Sequence, residues 1–560
     1  MLASLPRSAW WLIALTATLI WFAGLDSRRL QHPDEGRYAE IAREMAVRGD
    51  YVTPRLNDLK YFEKPPLQYW VGALTFRVFG VSEWTARLPA ALAGLLAVLV
   101  VGWTGARLAS PTVGAYAALT LLGCVWHAGL AHFLTLDAVL TFWLTLALCA
   151  FLLAQRDGLA QKGQRHWMWV AYAAAAGATL SKGLVALVIP GATLVLYSLL
   201  TRDIGPWRRL HAWSGMLLYL ALTAPWFGLV AHANPEFLQF FFIHEHFDRY
   251  LSDSHNRTGE WWYFVPWFVL GLLPWLLVWL ITLPRSWRDA AANGNGFSWA
   301  RFCTVWSAFI FLFFSISGSK LPSYILPLFP ALALVIGFEM TRLSSRALAW
   351  IAMPLSVGAT LLVAAWLVAY PRLVATLSDA ITPAAIYQEF GPWIGATLGV
   401  FAVGGTLAWM LFRHGTASTK TWGIAMLALT TLLALQLAFQ GQDSFRNVRS
   451  SYDILAAAQR ANGGPLDPAL PVYQVHGYDQ TLPFYLQRPT PLVAYRDEMA
   501  LGLDAEPNKG FNEAAWIDLW QATPQAYAMM TRDTATELAA KGVPMRVLAT
   551  DPRRAFVARR

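Results

Sequence analysis

His32-Pro33-Asp34-Glu35-Gly36-Arg37-Tyr38 follows closely on an apolar run from Trp10 to Leu25, and together the two settle what class of chain this is. No small-residue cleavage motif ends the run. Asp26-Ser27-Arg28-Arg29 comes instead, so the run reads as a retained first membrane span rather than a signal peptide. The seven residues then set acids and bases into the first hydrophilic loop. Asp34 lies just beyond the span, at the level where a side chain meets lipid head groups.

The rest of the composition agrees. Of 560 residues, 56% are hydrophobic and 14% charged, against about 25% charged in a soluble domain. Mean hydropathy is +0.41. The 28 Trp suit bilayer interfaces. A net charge of +9 raises the question of nucleic acid, but no basic cluster with interleaved aromatics is present, and anionic membrane phospholipid is the better partner. Cys124, Cys149 and Cys303 sit in or beside apolar stretches without metal-ligand spacing and read as packing residues.

A span needs about 20 apolar residues. Runs at 9–25, 88–108, 112–128, 135–154, 167–182, 183–200, 212–231, 262–283, 300–317, 322–340, 347–370, 389–412 and 421–440 predict about thirteen transmembrane helices. Segment 67–86 is apolar but is interrupted or bounded by Arg77, Glu83 and Arg87, which predicts an interfacial helix in the first loop. Short loops carrying Arg156, Lys162 and Arg165, then Arg202, Arg208 and Arg209, then Arg285, Arg288 and Arg301, then Arg342 and Arg346, then Arg413 and Lys420, fall on one side. The positive-inside rule makes that side cytoplasmic. Loops 26–87, 232–261 and 371–388 and the C-terminal tail then face outward.

The expected fold class is thus a polytopic α-helical membrane protein, residues 1–440, followed by a small soluble α/β domain, residues 441–560. Strands are expected at Val472 to Val475, Leu492 to Tyr495, Ala526 to Met530 and Met545 to Ala549, with helices at Ala514 to Gln521 and Thr534 to Lys541. With no clustered chemistry, this domain reads as non-catalytic.

Several residues carry candidate chemistry. Arg37, Glu40 and Glu44 are spaced three or four apart, as ordinary surface pairs on a helix would be. Asp34, after Pro33, is placed to take a proton or orient a nucleophile. In Tyr61-Phe62-Glu63-Lys64-Pro65-Pro66 the prolines stiffen the chain around Lys64, which is either a phosphate partner or a snorkelling anchor. Asp137, Lys182 and Lys320, the last in Gly318-Ser319-Lys320-Leu321-Pro322-Ser323-Tyr324, all fall at outward ends of spans. Charges at membrane depth usually face a polar cavity, and their common side argues for one. In loop 232–261, His244 and His246 are candidate ligands of a divalent ion, with Glu63 or Asp248 completing the set, although a spacing of two is not a helical zinc signature. Arg249 suits bidentate phosphate recognition. A secondary transporter would show midplane charges and repeated broken helices, which this pattern lacks.

Asp34-Glu35-Gly36-Arg37-Tyr38-Ala39-Glu40-Ile41-Ala42-Arg43-Glu44-Met45 resembles the first-loop signature of bacterial membrane glycosyltransferases of the C-type fold. Tyr61 to Pro66 with Tyr69-Trp70, Leu136-Asp137, Ser181-Lys182-Gly183, the run from His244 to Tyr250 and the run from Gly318 to Tyr324 extend the resemblance in order. Within that superfamily the chain is most similar to the lipid A aminoarabinose transferases, relatives of protein O-mannosyltransferases. The resemblance implies a sugar donor on undecaprenyl phosphate, lipid A as acceptor, and a periplasm-facing site in the bacterial inner membrane. It further implies Asp34 as the catalytic carboxylate and Lys64 and Arg249 as contacts to the donor phosphate. Arg37, Tyr38, Tyr61, Asp137, Lys182, His244 and Tyr324 would line or order the cavity. Related enzymes moving galacturonic acid to lipopolysaccharide, or mannose to protein, are the nearest alternatives.

Overall fold

The computed structural model describes residues 5–248, 259–288 and 294–559, with the side chains of residues 244–248 outside that description. Eight described helices are long and apolar enough to cross a membrane, and the pair Phe264–Gly271 and Leu276–Arg288, bent by 102°, makes a ninth if taken as one span. Three more apolar helices, Arg7–Phe22 (α1), Pro111–Leu122 and Val185–Thr201, are shorter. The protein is therefore a multi-pass membrane protein. Every expected run is mainly helical, but 112–128 breaks at Gly123-Cys124, 262–283 is the bent pair, 322–340 begins as a 3-10 turn, and the count of thirteen is not established. Gln161–Lys182, the helix at the expected run 167–182, is not among those long and apolar enough to cross.

The first loop is a folded layer. It holds helix Asp34–Arg48 (α2), a two-residue hairpin of Arg55–Leu56 (β1) and Leu59–Lys60 (β2), and helix Leu67–Phe79 (α3). On α3, Val71, Leu74, Val78 and Phe79 stay exposed while Tyr69, Ala73 and Phe76 are buried, so apolar side chains lie on both its exposed and its buried faces. The next helix begins earlier than the apolar run suggests. Ser82 and Thr85 form a reciprocal capping box, so Glu83–Leu108 (α4) starts five residues before position 88 and brings Arg87 into its first turns.

After the long helix Ala417–Gln442, the chain forms a six-stranded sheet. Its strands are Val472–Val475 (β3), Leu492–Val493 (β4), Gly510–Phe511 (β5), Tyr527–Thr531 (β6), Met545–Thr550 (β7) and Arg554–Arg559 (β8), in the order β5-β4-β3-β6-β8-β7. The first four are parallel and the β8 pairings antiparallel. Trp516, Trp520 and Leu538 cover one face, and Ile454, Leu455 and Ala458 the other, as parallel strands require. The sequence reading lacks β5, β8 and the helix Tyr452–Ala461, although β8 is the buried strand that joins β6 to β7.

This domain is bound tightly to the first loop. The Tyr485 hydroxyl accepts a hydrogen bond from the Leu30 amide at 2.8 Å, and Asn57 exchanges bonds with Thr490. Arg55 pairs with Glu506 at 3.0 Å. Gly36 lies so close that a Cβ there would stand 2.7–2.8 Å from the backbone of Gln480 and Thr481. The glycine in Asp34-Glu35-Gly36-Arg37-Tyr38 is thus what lets α2 meet the α/β domain.

Candidate active site

The expectation of surface pairs on α2 is overturned. From Glu35 to Met45 every residue of the helix is buried, because membrane helices, α3 and the α/β domain enclose it. Glu40 and Arg43 form a buried pair at 2.6 Å, and Arg43 also donates to the Gln487 carbonyl at 3.0 Å. Both Glu44 carboxylate oxygens accept from the Asp58 amide at 3.0 Å, which holds the β1–β2 turn. Burial, with Glu40 adding to it, pushes the Glu44 carboxyl up to about 8.

Asp34 and Glu35 open the helix side by side with different fates. Glu35 is 3% exposed and bridges Arg28 at 2.7 Å and Arg87 at 2.8 Å. It also accepts from the amides of Gln31 and Leu134. Burial opposes its charge, but the two arginines hold the carboxyl well below the usual range. The Asp34 side chain is 44% exposed, and its one described side-chain partner is Arg37, at 3.0 Å.

Arg37 is the centre of the outer cluster. One guanidinium nitrogen pairs with Asp34, the other with Glu498 of the α/β domain at 2.6 Å. Its Nε has no hydrogen-bond partner among the described residues, nor have the hydroxyls of Tyr61 and Tyr478. Burial works against the guanidinium charge, yet Tyr61, Glu498, Glu63 and Tyr38 around it raise its pKa well above the ordinary value. Burial pushes the Glu498 carboxyl up; Arg37 opposes this and Glu63 reinforces it. Tyr38 is buried with its ring 6.3 Å from that of Tyr69. Lys64 is half-buried and donates to the Glu63 carbonyl at 2.7 Å.

A second cluster sits at the membrane helix ends. Asp137 opens helix Leu136–Ala154, and Lys182 closes helix Gln161–Lys182; their side chains pair directly. The Lys182 ammonium also stands 4.6 Å from the ring of Tyr324, a cation–π contact. Lys320 is buried but turns its ammonium back onto the Ser317 carbonyl at 2.9 Å. The segment 61–64 lies between the two clusters. Tyr61 shares a core with Leu134 and Leu136, beside Asp137, while Phe62 packs with Leu180, two residues from Lys182.

Arg249 lies outside the described residues, as do the side chains of His244 and His246, so the divalent-ion reading has no donor set on view. Among the described residues no three His, Cys, Asp or Glu side chains converge as ligands. The α/β domain, read from sequence as non-catalytic, reaches the cluster through Glu498, which pairs with Arg37. Nothing in the sequence singles out Glu498: Asp497-Glu498 stands in a polar loop with no periodicity and no aromatic or proline frame.

Two family models match the chain: the aminoarabinose transferase C-terminal domain over residues 459–559, and dolichyl-phosphate-mannose-protein mannosyltransferase over residues 63–228. An undecaprenyl phosphate-alpha-4-amino-4-deoxy-L-arabinose arabinosyl transferase of Edwardsiella ictaluri is 33% identical over 342 residues, 60% of this chain and 60% of that protein. One from Erwinia tasmaniensis is 32% identical over 60% of this chain and 61% of its own length. The chain thus spans about three fifths of the curated relatives it matches. Over the full length it is similar to the crystal structure of ArnT from Cupriavidus metallidurans bound to undecaprenyl phosphate. That match has 38% identity and a TM-score of 0.91, covering 99% of this chain and 98% of the other. The apo state of the same relative gives 37% identity and a TM-score of 0.90. A match of that identity from end to end, through membrane helices, first loop and terminal sheet alike, makes this chain a member of the aminoarabinose transferase (ArnT) family.

Proposed function

We propose that the protein is a glycosyltransferase that moves 4-amino-4-deoxy-L-arabinose from undecaprenyl phosphate to a phosphate of lipid A, on the periplasmic side of the bacterial inner membrane. The observation that carries this reading is the end-to-end similarity to a relative whose crystal structure holds undecaprenyl phosphate. The buried, charged cluster around Arg37 adds a chemical reason.

In the reaction the anomeric carbon–oxygen bond to the carrier phosphate breaks, and its electron pair leaves with undecaprenyl phosphate. A lipid A phosphate oxygen forms the new bond from the opposite face, which gives inversion. Charge grows on the leaving phosphate, so fixed cations are the main catalytic need. Arg37, Lys64 and Lys182 supply them, with Arg249 assigned the same duty. The attacking oxygen is already anionic. Asp34, exposed beside Arg37, therefore orients it or takes a residual phosphate proton rather than deprotonating an alcohol. Each transfer masks an anionic phosphate and adds an amine, which weakens adsorption of cationic peptides such as polymyxin.

The test is purified protein with aminoarabinose-bearing undecaprenyl phosphate and lipid A. Mass spectrometry should find lipid A heavier by one aminopentose; unmodified lipid A with intact donor would sink the reading.

A further inference from the structure

We infer that the α/β domain reads the amino group of the transferred sugar, through the carbonyl oxygen of Gln480 and the hydroxyl of Tyr478, beside Glu498. This rests on the function proposed above and adds which residues select the sugar.

Position comes first. Tyr478 and Gln480 follow β3, and Tyr495 and Glu498 follow β4, so all four lie beyond the carboxyl ends of parallel strands. Open α/β sheets bind their ligands in that crevice. Here the crevice is pressed against α2, with Gly36 touching the backbone of Gln480.

Unspent polar capacity comes second. Gln480 is 5% exposed, and its amide nitrogen is committed to Glu498 at 2.5 Å. Its carbonyl oxygen is buried with no hydrogen-bond partner among the described residues. The hydroxyls of Tyr478 and Tyr61 and the Nε of Arg37 share that condition. Buried polar atoms are nearly always hydrogen-bonded, so a group of four around one ion pair marks a place built to hold a polar ligand. The rings of Tyr478 and Tyr495, 6.2 Å apart, add an aromatic side to it.

Charge decides the class of ligand. Asp34, Glu63 and Glu498 lie around Arg37, with Lys64 next in the chain to Glu63, an excess of one carboxylate. An ammonium offers three donors and no acceptor, and so matches the side-chain carbonyl of Gln480, a phenol oxygen and an acidic surround, while the Arg37 Nε–H, itself a donor, is left for an oxygen of the sugar or phosphate. A uronate carboxylate in the place of the ammonium would face Glu498 and find no donor on the Gln480 side-chain oxygen. A neutral hydroxyl would forgo the charge-assisted part of the interaction.

The experiment uses the full chain in detergent with three donors: undecaprenyl phosphate bearing the 4-amino pentose, its 4-hydroxy analogue, or a uronic acid. Wild type should prefer the amino sugar to the hydroxy analogue in kcat/KM and should transfer the uronate least. In Gln480→Leu and in Tyr478→Phe the amino-over-hydroxy ratio should fall by at least about tenfold, as when a polar site loses its matching group. Thermal melting identifies variants that fold. An unchanged ratio in the folded variants overturns the inference while leaving the proposed function standing. So does a wild type that moves the uronate as fast as the amino sugar, a result that needs no variant. A wild type that moves no sugar to lipid A removes the functional reading itself.

Discussion

The surroundings of Glu35 and of Arg37, two residues apart on one helix, differ in how completely their polar atoms are used. Around Glu35 everything is spent. Arg28 donates to Glu35 and to the His132 carbonyl, while Arg87 donates to Glu35 and to the carbonyls of Leu25, Arg28 and Arg29. Burial, with Arg87 adding to it, lowers the Arg28 pKa to about 10 despite Glu35. Around Arg37 the same residue types leave Nε, two tyrosine hydroxyls and an amide oxygen over, and Asp34 reaches solvent. A saturated charge cluster is a joint that fixes geometry; an unsaturated one keeps donors and acceptors for a ligand. Total charge does not separate the two, but the count of unused donors and acceptors does.

That contrast can be broken at four points, taken from the largest effect downward. Asp34→Asn keeps size and helix start but removes the exposed carboxylate. Transfer should drop by about 10²–10⁴-fold with thermal stability unchanged, measured as product formation beside a melting curve. Glu35→Gln should do the reverse and act on the fold. Leaving two buried arginines short of their counter-charge costs about 3–5 kcal/mol, seen as a large drop in melting temperature and in yield from membranes. Gly36→Ala forces a methyl against the Gln480 backbone. It should cost about 1–3 kcal/mol and expose the boundary between first loop and α/β domain to limited proteolysis, with activity falling in step.

The fourth concerns pH. The Glu44 carboxyl sits at about 8 against an ordinary value of 4.5, so the folded protein holds a proton that the unfolded chain gives up. Its contribution to stability is full below the ordinary value and is lost as pH rises towards about 8. Wild type should lose stability over that window with a slope from this group of at most about 1.4 kcal/mol per pH unit. Glu44→Gln should flatten the profile in thermal melts across the same range.

What the sequence made legible follows the physics of each part. Membrane helices announce themselves by apolar runs, although runs 112–128 and 262–283 each prove to be two helices. Short helices such as Val185–Thr201, and Gln161–Lys182 with its polar start, blur the count because length and composition alone stop distinguishing a span. The acid-and-base segment 34–44 reads correctly as a helix but wrongly as surface. Three-to-four spacing looks the same whether water or protein surrounds it, and burial here comes from partners far along the chain. Asp137 and Lys182 stand out because a charge inside an apolar stretch demands a partner, and each is the other's. Glu498, Gln480 and Tyr478 carry no such mark. In a polar loop of a mixed domain they resemble any solvated residues until the sheet delivers them to α2.

The joining of the first loop to the last domain also sets a timetable for synthesis. Arg43 and the Gln487 carbonyl that receives it are 444 positions apart. The early loop must therefore emerge, wait through the insertion of nearly every membrane helix, and close only when the final sheet arrives. A half-made chain has its acid and its cations but not their counterpart. The contact of Arg37 with Glu498 is thus among the last to form, because its two halves lie near opposite ends of the chain.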